Sequence, residues 1–494
     1  MRVTTTLFAV FLAATLAFGC TELLPGDQEA FTPDMGAPDM SDGSLAPCPL
    51  AEGDRGATEV MVPATLTEGD ADGRVDWTCD STYRLTGPTV VANDLELRIQ
   101  SGTRIVADDG AYLYVRAGSR LTAQGSADAP IVFTSSAPVG ERRRNGWRGV
   151  FLAGRAPHNF TSYTPADAPS GFAAVPSGTD VSWSCGRLTY VRIEFAGITN
   201  GAEGDPGAAL TLIGCGSGTE IDFVQAHSTE DGFGFVGGGG FVARHLIASA
   251  YRDDGIEWTG GFGARDNGGG GVQFAVTLGL SDSGAGIQGN NNETAVVAAP
   301  RSEAFVANLT SAALTGGFTN EETGVEFRFG SLGVVANSLF THLGRGMNVG
   351  SVLRLDDFSR DLEPAVSGSV FVVGAASDDV NIDVPFPGGP QVGMGTEGVP
   401  ESPDDDGGFD EYRSIGINDT FTNRGANPTI PEVNVALGSC CAFGGPFDFV
   451  PTQPVDIGTR TPVRPGFDST DYVGAFEGND PAPWDRGWTD YPAN

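Results

Sequence analysis

The chain has 494 residues and carries 28 basic against 63 acidic side chains, a formal charge of −35. That balance argues against nucleic acid as a partner, because phosphate binding needs a basic surface that releases counterions. Every basic residue is Arg, which removes chemistry that depends on Lys: Schiff bases, P-loop phosphate cradles and lysine general bases. With 72 Gly, 31 Pro and 40% apolar residues, the composition is that of a turn-rich globular chain with enough hydrophobic material for a large core.

Residues 1–19 read as a secretory signal: Arg2 gives a positive start, and Leu7 to Phe18 form an apolar run too short to span a bilayer as a mature helix. Ala17-Phe18-Gly19-Cys20 is similar to a bacterial lipobox, which marks Cys20 for lipidation, and the similarity extended to Thr21 implies sorting to the outer membrane or cell surface. Residues 20–47 are rich in Pro, Asp and Gly with little to bury, the composition of a disordered acidic tether. Six further Cys follow, at 48, 79, 185, 215, 440 and 441. An even number without CxxC or Cys/His spacing in an exported chain points to disulfides, with Cys48 and Cys79 as one possible pair and Cys185 and Cys215 as another.

Segment 48–90 is expected to form an N-terminal cap and 91–380 a repeating body. In the body, Gly102-Thr103-Arg104-Ile105 recurs as Gly118-Ser119-Arg120-Leu121. A Gly followed by apolar, any, apolar then recurs at Gly232, Gly255, Gly286, Gly324 and Gly346, at intervals of 23, 31, 38 and 22 residues. Coils of this size, made of short strands and variable loops, predict an all-β fold, a right-handed parallel β-helix (solenoid) with capping segments and long loop excursions. A β-sandwich also has many short strands and Gly-rich turns, but has no reason to repeat one Gly-led tetrapeptide. The period of two in those tetrapeptides sends the apolar pair inward and sets Glu257, Gln288, Glu326 and Asn348 as an outward polar column. An acidic excursion is expected over 381–430 and a C-terminal coil or cap over 431–494.

The runs Ala129 to Ser135, Gly146-Trp147-Arg148-Gly149-Val150 and Leu188 to Gly197 carry a resemblance. So do Ile221 to Gln225, the coil at Asp253-Asp254, and a tail with Asp471 to Phe476 and Gly487-Trp488-Thr489. In combination the sequence resembles a family of bacterial secreted right-handed parallel β-helix lipoproteins over most of residues 75–494. The resemblance implies an exported or surface protein of unassigned reaction. It departs from the family at Gly232-Phe233-Gly234-Phe235, where an acidic residue more often stands between the apolar pair.

Chemistry is harder to find. Asp253-Asp254-Gly255-Ile256 is faintly similar to the paired-aspartate strand of polygalacturonases, in which two carboxylates act as acid and base. The Gly-His-Gly turn and the Arg-Ile-Lys segment of those enzymes are missing. Arg252 and Arg328 are the arginines a lyase reading would nominate as base. His158, His227, His245 and His342 lack metal-ligand spacing, and Gly237 to Gly240 and Gly268 to Gly271 read as tight turns rather than phosphate loops. Asp404 to Glu411 reads as a solvated acidic stretch, with Ca²⁺ chelation as the alternative. Glu230-Asp231, Asp253-Asp254 and Asp282 precede successive strands, so stacking would crowd their carboxylates and invite Ca²⁺ as the one possible cofactor. The expected function is that of a surface-anchored β-helix lipoprotein with a non-enzymatic binding or structural role toward a glycan, a cell surface or a protein. The alternative is a polysaccharide lyase or glycoside hydrolase of the pectinase-like β-helix type.

Overall fold

The computed structural model describes residues 45–313 apart from 93, 166–167, 169–171, 199–205 and 281–282. It further describes 323–343, the strand backbone at 345–349, 365–367, 369–373 and 380–382, and the segments 449–451 and 463–492. Among the described residues eleven strands form one parallel ladder, running Thr65–Leu66, Pro88–Val91, Tyr112–Val115, Val150–Ala153, Ala208–Ile213, Asp231–Val236, Ile256–Thr259, Ala285–Gly289, Thr323–Phe327, Arg345–Val349 and Val380–Ile382. A second sheet of sixteen strands holds the rest of each coil. In the early coils its two strands are separate, as in Glu96–Ile99 and Arg104–Ala107. In the middle coils they fuse into the long strands Gly186–Glu194, Glu220–His227, Val242–Tyr251, Gly271–Gly279 and Phe305–Ala313, and they part again at Val334–Ala336 and Leu339–Leu343. The fold is a right-handed parallel β-helix.

Each fused strand turns a corner at a residue held in the left-handed region, Tyr190, Phe223, His245, Phe274 and Asn308, with φ between 47° and 56°; Val242–Tyr251 has a second such residue at Ala250, near its end. Non-Gly residues adopt that conformation at a cost that the surroundings must offset. Here the offset is visible as a stack. The rings of Tyr190 and Phe223 lie 4.4 Å apart, Phe223 and His245 4.2 Å, and His245 and Phe274 5.3 Å, all within 13° of parallel. Gln273 Nε2 donates to Asn308 Oδ1 at the end of this column (3.2 Å).

The interior is filled by the apolar pair of each tetrapeptide: Phe233, Phe235, Ile256, Trp258, Ile287, Val325 and Phe327 are all fully buried in one cluster. Gly286-Ile-Gln-Gly289 lacks its second apolar residue for a steric reason. A Cβ on Gly289 would lie 2.5 Å from the Trp258 indole and 2.9 Å from Phe327, so the glycine makes the room that the indole fills. Gly237 to Gly240 have φ of 59°, 69°, 132° and 78°, the left-handed turn geometry expected of them. Disulfides join Cys48 to Cys79 and Cys185 to Cys215. Residues 1–44, and with them Cys20 and nearly all of the tether, lie outside the described residues, as do Cys440 and Cys441 and the stretch Asp404 to Glu411.

Three expected boundaries are corrected. Parallel stacking starts at Thr58–Met61, which pairs with Ser81–Leu85, so 48–90 is already coil rather than cap. Its short strands, separated by Gly and Asp turns, are enough to close a coil. The excursion expected from 381 begins no earlier than 383, because Val380–Ile382 pairs with Arg345–Val349. The described part of the C-terminal segment is not an end cap: residues 463–492 run along the side of the stack. Phe467 packs with Phe305, Ala307 and Ala336. Val473, Phe476, Trp488 and Tyr491 cover Tyr190, Phe223, Ile247, Val276 and Leu339. Those outward residues are apolar, so water would face a hydrophobic sheet surface without the strap.

Candidate functional site

The turns that lead from the bent strands into the eleven-stranded ladder line one edge of the stack, and most chemistry-bearing residues of the described chain gather there. Asp231 opens the strand Asp231–Val236, and Asp254 occupies the same register one coil later, since Phe233 pairs with Ile256. Both are buried, at 3% and 2% exposure. Asp231 Oδ2 accepts from Gly207 N (2.7 Å) and its Oδ1 from Asp254 N (2.8 Å), while Asp254 Oδ1 accepts from Ala285 N (2.7 Å). Each carboxylate thus holds the backbone of the next coil at its turn. Asp253 is exposed, and one oxygen from each of Asp231, Asp253 and Asp254 lies within 4.8 Å of the others, a spacing at which three carboxylates can share one cation.

Burial, and after it the negative charge of Asp253, pushes the Asp231 and Asp254 carboxyls well above their ordinary range. Glu230 is turned elsewhere. Its Oε2 accepts from Asn145 Nδ2 (2.9 Å) and its Oε1 faces Arg252 Nη1 at 3.1 Å, so both of its oxygens are engaged away from the three aspartates. Burial raises its carboxyl, with Asn145 and Arg252 opposing. Asp282 lies outside the described residues.

The column of middle residues stacks in register: Glu257 opposite Gln288, Gln288 opposite Glu326, and Glu326 opposite Asn348, whose side chain lies outside the described residues. Glu257 and Gln288 are buried rather than solvated, at 3% and 5% exposure. Asn290 Nδ2 donates to Glu257 Oε1 (2.7 Å) and Gln288 Oε1 (2.8 Å), Gln288 Nε2 donates to Glu326 Oε2 (3.3 Å), and Arg328 donates to Gln288 Oε1 and lies 3.6 Å from Glu326. The column is a hydrogen-bonded ladder. Arg328 is committed to it.

Three of the four His are inside. His227 Nδ1 meets Ser249 Oγ (2.9 Å) and its Nε2 meets Pro492 O (3.3 Å), and burial brings its pKa down to about 4. His245 Nδ1 lies 2.7 Å from Asp222 Oδ1, and His158 Nε2 3.2 Å from Val175 O. The His342 side chain lies outside the described residues.

Reading the sequence missed one feature of this edge. A pocket of about 390 Å³ is lined by Arg143, Arg144, Asn145 and Arg148, with Asp109, Gly110, Gly197 and Ile198. Its signal was present: Glu141-Arg142-Arg143-Arg144 is a local basic run in a chain of net charge −35. Asn145 joins this pocket to the carboxylate cluster through Glu230.

With the coil architecture and this edge in place, comparison with protein families adds the class. The pectate-lyase-like β-helix domain family matches residues 69–376, and the chain belongs to it. No curated protein and no solved structure matches the chain.

Proposed function

We propose that the chain is an exported β-helix lipoprotein, lipidated at Cys20 and held at the outer membrane or cell surface, whose edge of turns binds a glycan or other surface ligand without cleaving it. The observation that carries the non-enzymatic reading is the use made of the paired aspartates. An acid and base for glycosidic cleavage must flank the scissile bond, with carboxyls about 5–9.5 Å apart and open to the polymer. Of the pair Asp253 and Asp254, Asp254 accepts the Ala285 N–H and is sealed from solvent, as is Asp231, which accepts from Gly207 and Asp254. Asp253 alone is thus open to a polymer, and among the described residues it has no second carboxylate beside it that is. The role of Asp231 and Asp254 is to bind coil to coil. Of the two arginines that a lyase reading nominates, Arg328 donates into the Gln288 ladder and Arg252 lies 3.1 Å from Glu230 Oε1.

A calcium ion shared by Asp231, Asp253 and Asp254 would relieve their mutual repulsion, and Ca²⁺ suits them better than Mg²⁺ because it tolerates irregular oxygen shells. The residues of 20–47, fully extended, reach at most about 90 Å, enough to lift the body from a membrane. The deciding experiment incubates the mature protein with a panel of acidic and neutral polysaccharides, following unsaturated and reducing ends alongside retention of protein on the immobilised polymers. Retention without new chain ends is the expected result. Release of unsaturated or reducing ends from any polymer would instead make the chain a lyase or hydrolase.

A further inference from the structure

We propose that the ledge at the end of the strap, formed by Arg104, Arg142 and Arg192, binds a tetrahedral oxyanion, the phosphate or sulfate group of an ester. The site lies on the outward face of the sixteen-stranded sheet. It shares no residue with the carboxylate cluster or with the arginine pocket, and it does not rest on the glycan-binding reading.

Register brings the groups together. Val132 pairs with Arg104 on one side and with Arg192 on the other, so the two arginines stand in one outward column, two ladder steps or about 10 Å apart, with Val132 between them. Arg142 comes from the loop that follows Ile131–Ser135. Its guanidinium lies 5.5 Å from the centre of the Phe195 ring, and its Nε donates to Ala137 O (3.1 Å). Phe195 directly follows the strand Gly186–Glu194 that carries Arg192. Two strands and a loop thus deliver three guanidinium groups to one patch, and all three side chains keep some contact with solvent.

Their donors are unevenly spent. Arg192 Nε faces Glu194 Oε1 at 3.4 Å, and its Nη1 donates to Trp488 O (3.5 Å) and lies 3.7 Å from Asp490 Oδ2. Arg142 has its one backbone acceptor. Arg104 is half-buried, and among the described residues no oxygen accepts from its guanidinium. Asp108, just past the end of its own strand, pairs with Arg84 instead (3.0 Å). Burial pushes the Arg104 pKa down; Glu194 opposes this, and the charges of Arg142 and Arg192 add to it. A half-buried cation that meets other cations and no acceptor costs stability, and an anion among the three relieves it. Shape then selects the class. The three planar forks come from three origins, and a tetrahedral oxyanion offers an oxygen to each, whereas a carboxylate presents two oxygens in one plane and is satisfied by a single fork.

The test follows thermal unfolding of the mature protein in EDTA at fixed ionic strength, with chloride replaced in turn by phosphate, sulfate and acetate. Titration calorimetry with glycerol 3-phosphate and glucose 6-sulfate tells the two esters apart. Phosphate, sulfate or both should raise the midpoint with saturation, on top of the unsaturating rise that these anions give any protein by exclusion from its surface, and acetate should not. At least one ester should bind. Arg104→Gln should weaken that binding about tenfold or more, and Arg142→Gln severalfold. In chloride, Arg104→Gln should melt no lower than the wild type, because it removes a cation that has no partner, and the saturating rise should vanish from it. Arg74→Gln, at an arginine of the first coil paired with Asp72 (3.6 Å), should respond as the wild type does. A saturating rise in acetate equal to that in phosphate and sulfate, a wild-type response in Arg104→Gln, a lower midpoint of Arg104→Gln in chloride, or no binding of either ester would overturn the proposal. None of these outcomes bears on whether polysaccharides are retained or cleaved.

Discussion

Gln225 grips the backbone of Asp490 with both ends of its amide, donating from Nε2 to Asp490 O (2.8 Å) and accepting at Oε1 from Asp490 N (3.0 Å). Gln273 holds Asp468 in the same way, at 2.7 and 2.8 Å. Two side chains of the sheet thus imitate a neighbouring strand and bind the C-terminal strap from outside.

Gln225→Ala should destabilise the protein by about 1–3 kcal/mol, because the Asp490 backbone loses both partners in a partly buried setting. Removing residues 463–494 should cost far more, since Ile247, Val276 and Leu339 would meet water. Urea unfolding of both variants, with binding of a hydrophobic dye to the truncated one, checks this. A truncated chain with the wild-type midpoint and no dye binding would show that the strap contributes nothing.

The buried aspartates give a pH dependence of definite sign. Asp231 and Asp254 titrate above the usual carboxylate range in the fold, whereas in the unfolded chain they titrate near 3.9. Above about pH 4 the unfolded chain releases protons that the fold retains, so these groups favour folding least at the highest pH. In chelator, stability should fall from pH 5 to pH 8, and Asp254→Asn should flatten that slope while its amide oxygen still accepts from Ala285 N. Parallel profiles for wild type and variant would refute the assignment.

Calcium should counter the same repulsion. At pH 8 and fixed ionic strength, millimolar Ca²⁺ should raise the thermal midpoint of the wild type by several degrees over EDTA, with about 2–4 °C for each kcal/mol of binding as a guide. Asp231→Asn combined with Asp254→Asn should abolish the difference. Identical midpoints for wild type in Ca²⁺ and EDTA would mean that the backbone N–H groups neutralise these carboxylates unaided.

Lipidation is tested by Cys20→Ser. The substitution should leave the signal uncleaved at this point or release the protein from the membrane fraction, as followed by fractionation and mass. A variant that fractionates and matures like the wild type would remove the anchor from the functional reading.

The coils were legible because their signal is local and repeated: an apolar pair such as Ile256 and Trp258, or Val325 and Phe327, behind one glycine, needs only the period of a strand to be read. The disulfides followed from an even number of Cys without metal-ligand spacing behind an N-terminus that reads as a secretory signal. The corner residues were not legible, since Tyr190, Phe223, His245 and Phe274 are of types that rarely adopt positive φ, and only their stacking makes it tolerable. Nor was the strap, whose residues have no period and whose partners lie up to 296 positions away, as Arg192 does from Trp488. At the candidate site, the acidic turns at Asp231 and Asp253-Asp254 could be read in the sequence as preceding successive strands, but not that backbone N–H groups take the oxygens of Asp231 and Asp254. Reading the sequence passed over Arg143, Arg144 and Arg148 because a basic run on a loop has the same appearance whether solvated or folded into a pocket.

Stacked-coil proteins ordinarily melt like a zipper, each repeat held only by its neighbours and the ends fraying first. The strap breaks that rule here. It bridges residues from Arg192 and Gln225 in one part of the stack to Asn308 and Asn337 in another, so no intervening coil can open without tearing long-range contacts. From Gly186 to Leu343 the array should therefore melt in one sharp cooperative step, with hydrogen exchange of uniform slowness across it, while the coils before Gly186, beyond the reach of the strap, fray ahead of it.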